Sequence, residues 1–202
     1  GYIWLVTENN IQLTETSPEI GTSLDRLMTN TSAKQRIRQG NRSIFDDHEA
    51  GEQISALWAD HTGAIWIGSE SAAQFDGENW VSYTPLNGLV GKPVQAFALD
   101  NQSRIWIGTG AGLNILNDET FFSLTNEQGL PDDNIQAIVV DPKSEQNIVW
   151  IGTATGGLLR FEKNQLQVFN QKTANLPSNN VTALGIDSDG SLLIGTDDGL
   201  AR

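Results

Sequence analysis

Ile105-Trp106-Ile107-Gly108 is a short apolar run that recurs along the chain. The four glycines of its copies are 40, 44 and 43 residues apart. A period of this length is typical of stacked supersecondary units, none of which can bury its apolar face alone. The repeat therefore predicts the architecture of residues 54–202. The other copies are Ile65-Trp66-Ile67-Gly68, Val149-Trp150-Ile151-Gly152 and Leu192-Leu193-Ile194-Gly195.

The flanks of the motif repeat as well. Before each copy lies an alternating stretch whose third residue is alanine. An aspartate and a polar turn connect this stretch to the motif. A second turn, a short run and, in three copies, a last alternating stretch come after it. Such runs, rich in Ile, Val, Trp and Phe and bounded by Gly, Asn and Asp, predict β-strands. The first stretches are 54–59, 94–99, 135–140 and 181–186, and the last are 80–83, 121–124 and 166–169.

Each unit is therefore expected to form four short antiparallel strands, and the fold class to be all-β. Four-stranded sheets repeated at this period are typical of the blades of a β-propeller. The Trp-Ile-Gly strand is apolar on both faces, which suits a strand packed between neighbouring blades. The four clear units are predicted at 54–83, 94–124, 135–169 and 181–202, the last without its outer strand.

A partial fifth unit lies at the N-terminus, where Ile3-Trp4-Leu5-Val6-Thr7 matches the core strand. We expect about five blade units in one propeller domain, or propeller fragment, that spans residues 1–202. Residues 15–53 break the repeat and are predicted to be an inserted loop region. The first unit lacks its first strand and the last unit its fourth, so residues 2–13 are predicted to lie beside 192–202.

Charge and composition exclude some classes of function. The formal net charge is −13, which argues against nucleic acid as the partner because phosphate contacts need basic patches. There is no cysteine, and no apolar run is long enough for direct membrane insertion. No cofactor and no metal site are expected. The absence of cysteine favours a periplasmic or extracellular location, as part of a longer protein. A cytoplasmic location stays open.

The blades resemble the two-component regulator propeller repeat. The stretches that carry this resemblance are 100–109 with Gly112-Leu113, 187–190 with Ile194-Gly195-Thr196, and the linker 175–181. The resemblance implies the extracytoplasmic sensor part of a bacterial signalling protein. It also implies ligand sensing, with oligosaccharides among the candidates, or partner binding rather than chemistry.

The tryptophans that share the motif position are predicted to fill the wedge between blades, since large rings dominate such cores. Trp58 replaces a small residue on an inner strand, where it could pack between blades or line the central channel. The repeated aspartates are expected to accept backbone N–H groups in their own turns. No arrangement typical of an enzyme is present, so no residue is predicted to be catalytic. The predicted core tryptophans are Trp4, Trp66, Trp106 and Trp150.

A ligand site is predicted at the mouth of the central channel. The loops entering the inner strands and the loops after the second strands should meet there. Their polar members differ from blade to blade, as a ligand-specific site requires. The predicted ligand-binding residues are Glu70, Lys92, Asn134, Thr155, Asn180 and Asp197.

The sequence thus predicts a non-enzymatic propeller module of a sensor-like protein. Its partner would be a small molecule, an oligosaccharide or another protein, and a homodimer is compatible with the pattern. The first alternative is a structural or assembly propeller that makes protein–protein contacts. A lesser alternative is a propeller lyase or glycoside hydrolase, because a fold does not determine a function.

Overall fold

The computed structural model describes the strands at 2–7 and 10–15, and residues 53–202 with their side chains. Strands β1 (Tyr2–Thr7) and β2 (Asn10–Glu15) form an antiparallel hairpin that is a sheet of its own. The predicted insert at 15–53 falls almost wholly outside the described residues. The side chain of Trp4 does so too.

The rest of the described chain forms four antiparallel sheets, each with its strands in sequence order. These are the predicted blades, and the last has three strands. Blade 1 comprises β3 (Ala56–Ala59), β4 (Ile65–Gly68), β5 (Ala72–Phe75) and β6 (Trp80–Tyr83). Blade 2 comprises β7 (Val94–Leu99), β8 (Ile105–Thr109), β9 (Gly112–Asn117) and β10 (Thr120–Leu124). Blade 3 comprises β11 (Ile135–Val140), β12 (Val149–Thr153), β13 (Leu158–Glu162) and β14 (Gln165–Phe169). Blade 4 comprises β15 (Val181–Ile186), β16 (Leu192–Thr196) and β17 (Gly199–Ala201).

The strand boundaries differ slightly from those predicted. The first strand begins at Ala56 rather than residue 54, and two outer strands begin one residue earlier than predicted, at Thr120 and Gln165. A short helix, α1 (Gln171–Ala174), and two 3-10 turns lie in the linkers, where no helix was predicted. These helical turns were not predicted because each is only three or four residues long and is held by a capping side chain. A helix this short shows no apolar period in the sequence.

The linkers repeat one local design. A Thr or Asn caps a single helical turn, a residue in the left-handed region follows, and the next leucine is buried. In the first linker Thr84 caps 85–87, Gly88 has a φ of 103°, and Leu89 is buried. Glycine reaches this conformation without the cost of a Cβ. The same sequence of cap, left-handed residue and buried leucine is Thr125, Gly129 and Leu130, and then Asn170, Asn175 and Leu176.

The glycine of the repeated motif is the contact point between consecutive blades. A Cβ on Gly108 would lie 2.6 Å from the Ile135 side chain, which begins the inner strand of the next blade. Gly68 faces Val94 and Gly152 faces Val181 in the same way. Gly195, in the last described blade, has no such neighbour. The motif ends in glycine because the next inner strand packs directly on that backbone.

The tryptophan of the motif fills the space between blades. Trp66 and Trp106 are fully buried, and Trp106 packs edge-on against Phe161 from the third strand of the next blade. Trp150 is only partly buried within the described residues, where it packs against the core cluster that includes Leu158, Val181 and Ile194.

Candidate functional site

The inner strands of all four blades line one axial cavity of about 370 Å³. Its exposed wall is more polar than apolar, and its large side chains are Leu57, Trp58, Phe97, Ile138 and Leu184. Trp58 therefore lines the channel and also packs on the core between blades 1 and 2. The repeated alanines of the inner strands keep this space open because they project only a methyl group. They are Ala56, Ala96, Ala137 and Ala183.

A register irregularity marks the start of three inner strands. In blades 2, 3 and 4 one extra residue stands between the first and third positions of the strand, and these residues are Gln95, Gln136 and Thr182. Bulges re-aim side chains and are frequent beside functional sites. Polar residues thus occupy the second position of three inner strands, and Ser55 directly precedes the inner strand of blade 1.

Two of the predicted ligand-binding residues form an ion pair across blades. Lys92 Nζ lies 2.5 Å from Glu70 Oε2, and both side chains are substantially exposed. Glu70 follows the second strand of blade 1, whereas Lys92 precedes the inner strand of blade 2. An exposed pair of this kind stabilises the fold by at most about 1 kcal/mol. It places opposite charges at the channel mouth.

Thr155 is tied to a residue that the sequence analysis did not select. Its N–H and its hydroxyl both donate to Asp132 Oδ2, at 2.6 and 2.8 Å. Asp132 also accepts the backbone N–H of Asn134 at 3.1 Å. Burial acts to raise the pKa of Asp132, but these hydrogen bonds outweigh it and the pKa is lowered. Asp132 is therefore a carboxylate at neutral pH.

Asn180 and Asp197 form the corresponding pair in blade 4. The amide Nδ2 of Asn180 donates to Asp197 Oδ2 at 3.1 Å. Hydrogen bonds from Ser178 and then Asn180 lower the pKa of Asp197, so this group is also ionised. The structure thus joins five of the six predicted residues in three polar pairs, Glu70–Lys92, Thr155–Asp132 and Asn180–Asp197.

Three amide oxygens near this end of the channel are buried and accept no hydrogen bond within the described residues. They are Asn134 Oδ1, Gln136 Oε1 and Asn180 Oδ1. Asn134 and Asn180 directly precede the inner strands of adjacent blades, and Gln136 is the bulged residue two places after Asn134. A buried polar atom without a partner costs roughly 1–3 kcal/mol. Such atoms are therefore candidates for ligand contact.

Gln136, Gln95 and Asp132 were not among the residues predicted from the sequence. Strict alternation, which assumes an ideal strand, did not single out Gln136 and Gln95, because a bulge changes their direction. The available signal was a polar residue directly before the repeated alanine in every blade, namely Ser55, Gln95, Gln136 and Thr182. Asp132 was missed because its role depends on Thr155, which is distant in sequence.

The repeated aspartates organise their own turns, as predicted. Asp60, Asp100, Asp141 and Asp187 each accept a backbone N–H from two residues ahead. Asp100 goes further, because it also accepts Trp106 Nε1 at 2.8 Å and Asn147 Nδ2 of blade 3 at 3.0 Å. In blade 4 the acidic turn binds cationic side chains: Arg202 pairs with Asp187 and Asp189, and Lys143 donates to Ser188 O.

Two further surfaces could contact a partner. An apolar groove of about 350 Å³ lies between blades 3 and 4 and includes Trp150, Phe169 and Leu192. On the outer side, Phe122 of β10 and Val81 of β6 occupy equivalent positions and are 58% and 46% exposed. Within residues 53–202 no group of three His, Cys, Asp or Glu side chains is arranged to hold a metal ion. Over the part of the chain that the structure describes, no helix has the length and apolarity to cross a membrane.

Comparison with known families finds two matches to the model described as "Two component regulator propeller", at residues 88–111 and 175–198. Each match runs from a linker through an inner strand into the Trp-Ile-Gly or Leu-Ile-Gly strand. The resemblance found in the sequence is thus confirmed for blades 2 and 4. No curated protein matches the chain.

Solved structures with the same fold include extracellular sensor domains and enzymes. The extracellular domain of a putative hybrid two component system from B. thetaiotaomicron has a TM-score of 0.62 at 20% identity, over 80% of this chain and 26% of that one. A streptogramin B lyase has a TM-score of 0.64 at 14% identity, over 100% of this chain and 64% of that one. Virginiamycin B lyase from Staphylococcus aureus has a TM-score of 0.58 at 11% identity, over 72% and 50%. The chain spans only about a fifth to a quarter of the sensor domains it matches. At these identities the likeness shows the propeller fold alone.

Proposed function

We propose that this chain, which carries the two-component regulator propeller repeat, is a non-enzymatic ligand-binding module of a sensor-like bacterial protein. Its site is the mouth of the axial channel, formed by Glu70, Lys92, Asn134, Thr155, Asn180 and Asp197. The ligand is a small molecule, with an oligosaccharide as one candidate. The location is periplasmic or extracellular, which fits the extracellular domains among its structural neighbours.

The axial cavity is the observation that carries this proposal. Ligand sites are concave and mostly apolar, with a few convergent polar groups, and typically measure about 300–1,000 Å³. The cavity of about 370 Å³ is within this size range, with Trp58 and Gln95 in a wall that is more polar than apolar. Its size suits a small ligand, or one end of a longer one.

The direct test is a glycan and metabolite screen followed by calorimetry on each hit. We expect binding that is weakened by Asn134→Ala and by Asn180→Ala, and unaffected by Gln167→Ala on the exposed outer strand β14. A ligand whose affinity is unchanged by both Asn134→Ala and Asn180→Ala would overturn the assignment of the site. Conversion of a bound ligand on prolonged incubation would instead support the lyase or hydrolase alternative.

A structural or assembly role is the second candidate. The observation that favours it is the pair of exposed apolar side chains on neighbouring outer strands, Val81 and Phe122, with Leu86 fully exposed in the linker between their blades. Exposed apolar side chains that cluster on one face can mark protein–protein contacts. A screen without hits, together with a self-association that Phe122→Ser abolishes, would favour this role over ligand binding.

A further inference from the structure

Three buried amide oxygens at one end of the axial cavity share an unusual property, because none has a hydrogen-bond donor within the described residues. Asn134 and Gln136 flank Ile135 at the start of β11, and Asn180 precedes Val181 at the start of β15. These two inner strands are packed against each other, and Ala137 and Ala183, the third residues of the two strands, line the cavity. The three acceptors therefore lie on adjacent blades at the same end of the cavity.

The orientation of one of these amides is determined by its neighbour. Asn180 Nδ2 donates to Asp197 Oδ2, so the other atom of the amide must be the oxygen. Exchanging the two atoms would put an oxygen against a carboxylate oxygen, which is repulsive. Asn180 Oδ1 is therefore an acceptor, and it needs a donor from outside the described chain.

The charges around these acceptors favour a cation over a neutral donor. Asp132 contacts the backbone of Asn134 and Asp197 contacts the side chain of Asn180. Hydrogen bonding lowers the pKa of both carboxyl groups, so both are ionised at neutral pH. Lys92, which precedes the inner strand of blade 2, is engaged with Glu70.

We propose that this end of the axial cavity binds the primary ammonium group of a ligand, through Asn134 Oδ1, Gln136 Oε1 and Asn180 Oδ1. An ammonium group has three N–H donors and no acceptor, which matches three acceptors at the starts of two inner strands. The ionised Asp132 and Asp197 add a favourable potential without direct contact. This proposal rests on the proposed function, since it names the chemistry of one part of the same site.

The test compares 1,4-diammoniobutane with butane-1,4-diol, which has the same carbon chain but no charge. Binding to the whole chain is followed by NMR, through the side-chain amide signals of Gln136 and Asn180 and the indole signal of Trp58. We expect saturable shifts with the diammonium compound and none with the diol at equal concentration. Equal shifts with both compounds would overturn the preference for a cation.

Two substitutions at one position should act in opposite directions. Gln136→Leu removes the acceptor and keeps the volume, so the dissociation constant should rise about tenfold, the effect of losing one hydrogen bond to a charged group. Gln136→Glu supplies a carboxylate, so the same constant should fall. The matched controls are Gln165→Leu and Gln165→Glu on the exposed start of β14, which make the same changes far from the cavity. Equal effects at residues 136 and 165 would show a general charge effect and overturn the proposal.

The outcomes separate this inference from the proposed function. A different ligand that binds at the mouth, is sensitive to Asn180→Ala and is indifferent to both Gln136 variants would overturn the ammonium site alone. Absence of any ligand from the screen, with no diammonium binding, would overturn both.

Discussion

Asp100 is the residue at which a turn, a core tryptophan and a neighbouring blade meet. Its side chain is buried, and it accepts from Arg104 Nε at 2.7 Å, from Trp106 Nε1 and from Asn147 Nδ2. Asn101 does not contact Asp100 through this network, but it links the same two blades. Its backbone N–H donates to Asn147 Oδ1 at 2.8 Å. A repeated aspartate that looks like turn chemistry in the sequence thus also connects blades 2 and 3.

The buried Asp100 should make stability depend on pH. Burial acts to raise its pKa, but hydrogen bonds from Trp106, Arg104 and Asn147 outweigh this and lower it. A folded pKa below the unfolded value of about 3.9 means that its stabilisation is present above about pH 4 and lost as the pH falls through the folded value. We expect Asp100→Asn to cost about 1–3 kcal/mol at pH 7 and to flatten the acid limb of stability.

Urea unfolding between pH 2 and 7 measures this. The exposed Glu119→Gln, which removes the same charge, should leave the free energy of unfolding within about 0.5 kcal/mol of the wild type. An Asp100→Asn protein with the acid limb of the wild type would contradict the assignment.

Gly108 offers a second test at the residue scale. A methyl group there would meet Ile135 of the next blade at 2.6 Å, so Gly108→Ala should destabilise by about 1–3 kcal/mol through overpacking. Gly195→Ala is the matched control, because its nearest contact is 3.3 Å away, within its own blade. Thermal unfolding of both variants checks this, and equal losses would mean that contact between blades is not what requires the glycine.

At the scale of the elements, the second strand of each blade carries the packing between blades. Trp106 on β8 is buried between blades 2 and 3, whereas Trp150 on β12 is partly exposed in the groove beside blade 4. The same residue type in the same strand position thus has two environments. Trp106 contacts Phe161 on the third strand of the next blade, whereas Trp150 contacts Phe169 of its own blade.

The two tryptophans should therefore differ in their contribution to stability. Trp106→Ala is expected to cost about 3–5 kcal/mol, as large-to-small core changes do. Trp150→Ala should cost about 1–2 kcal/mol less, since it loses less buried apolar area. Chemical denaturation gives both values. If Trp106→Ala kept its stability and lost ligand binding instead, the tryptophan would be a binding residue rather than a core residue.

At the scale of the whole molecule, the four blades within residues 53–202 are arranged around one axis and share one cavity. The inner strand of each blade packs on the next, from β3 to β7 to β11 to β15. The arrangement brings the loops entering the inner strands to one end, where the polar pairs and the unpartnered amides lie. The site therefore belongs to no single repeat.

The N-terminal hairpin supplies a prediction at this scale. β1 and β2 match the second and third strands of a blade, and we expect residues 2–13 to lie beside 192–202. Removing residues 1–15 should then expose a strand edge and promote aggregation. Light scattering and thermal unfolding of the shortened protein test this. A monodisperse shortened protein with unchanged melting would contradict it.

The sequence by itself determined the blades, because each blade is specified by local signals. The alternating strands, the aspartate turns and the Trp-Ile-Gly runs lie within about 30 residues of one another, and they predicted the units at 94–124 and 135–169 closely. Tertiary structure alone decided which side chains share the channel mouth. Bulges redirect Gln136, distant loops pair Thr155 with Asp132, and the following blade decides whether a tryptophan is covered. These outcomes depend on how one repeat packs against the next. The residue pattern within a single repeat does not specify which side chains of the neighbouring repeat it will contact.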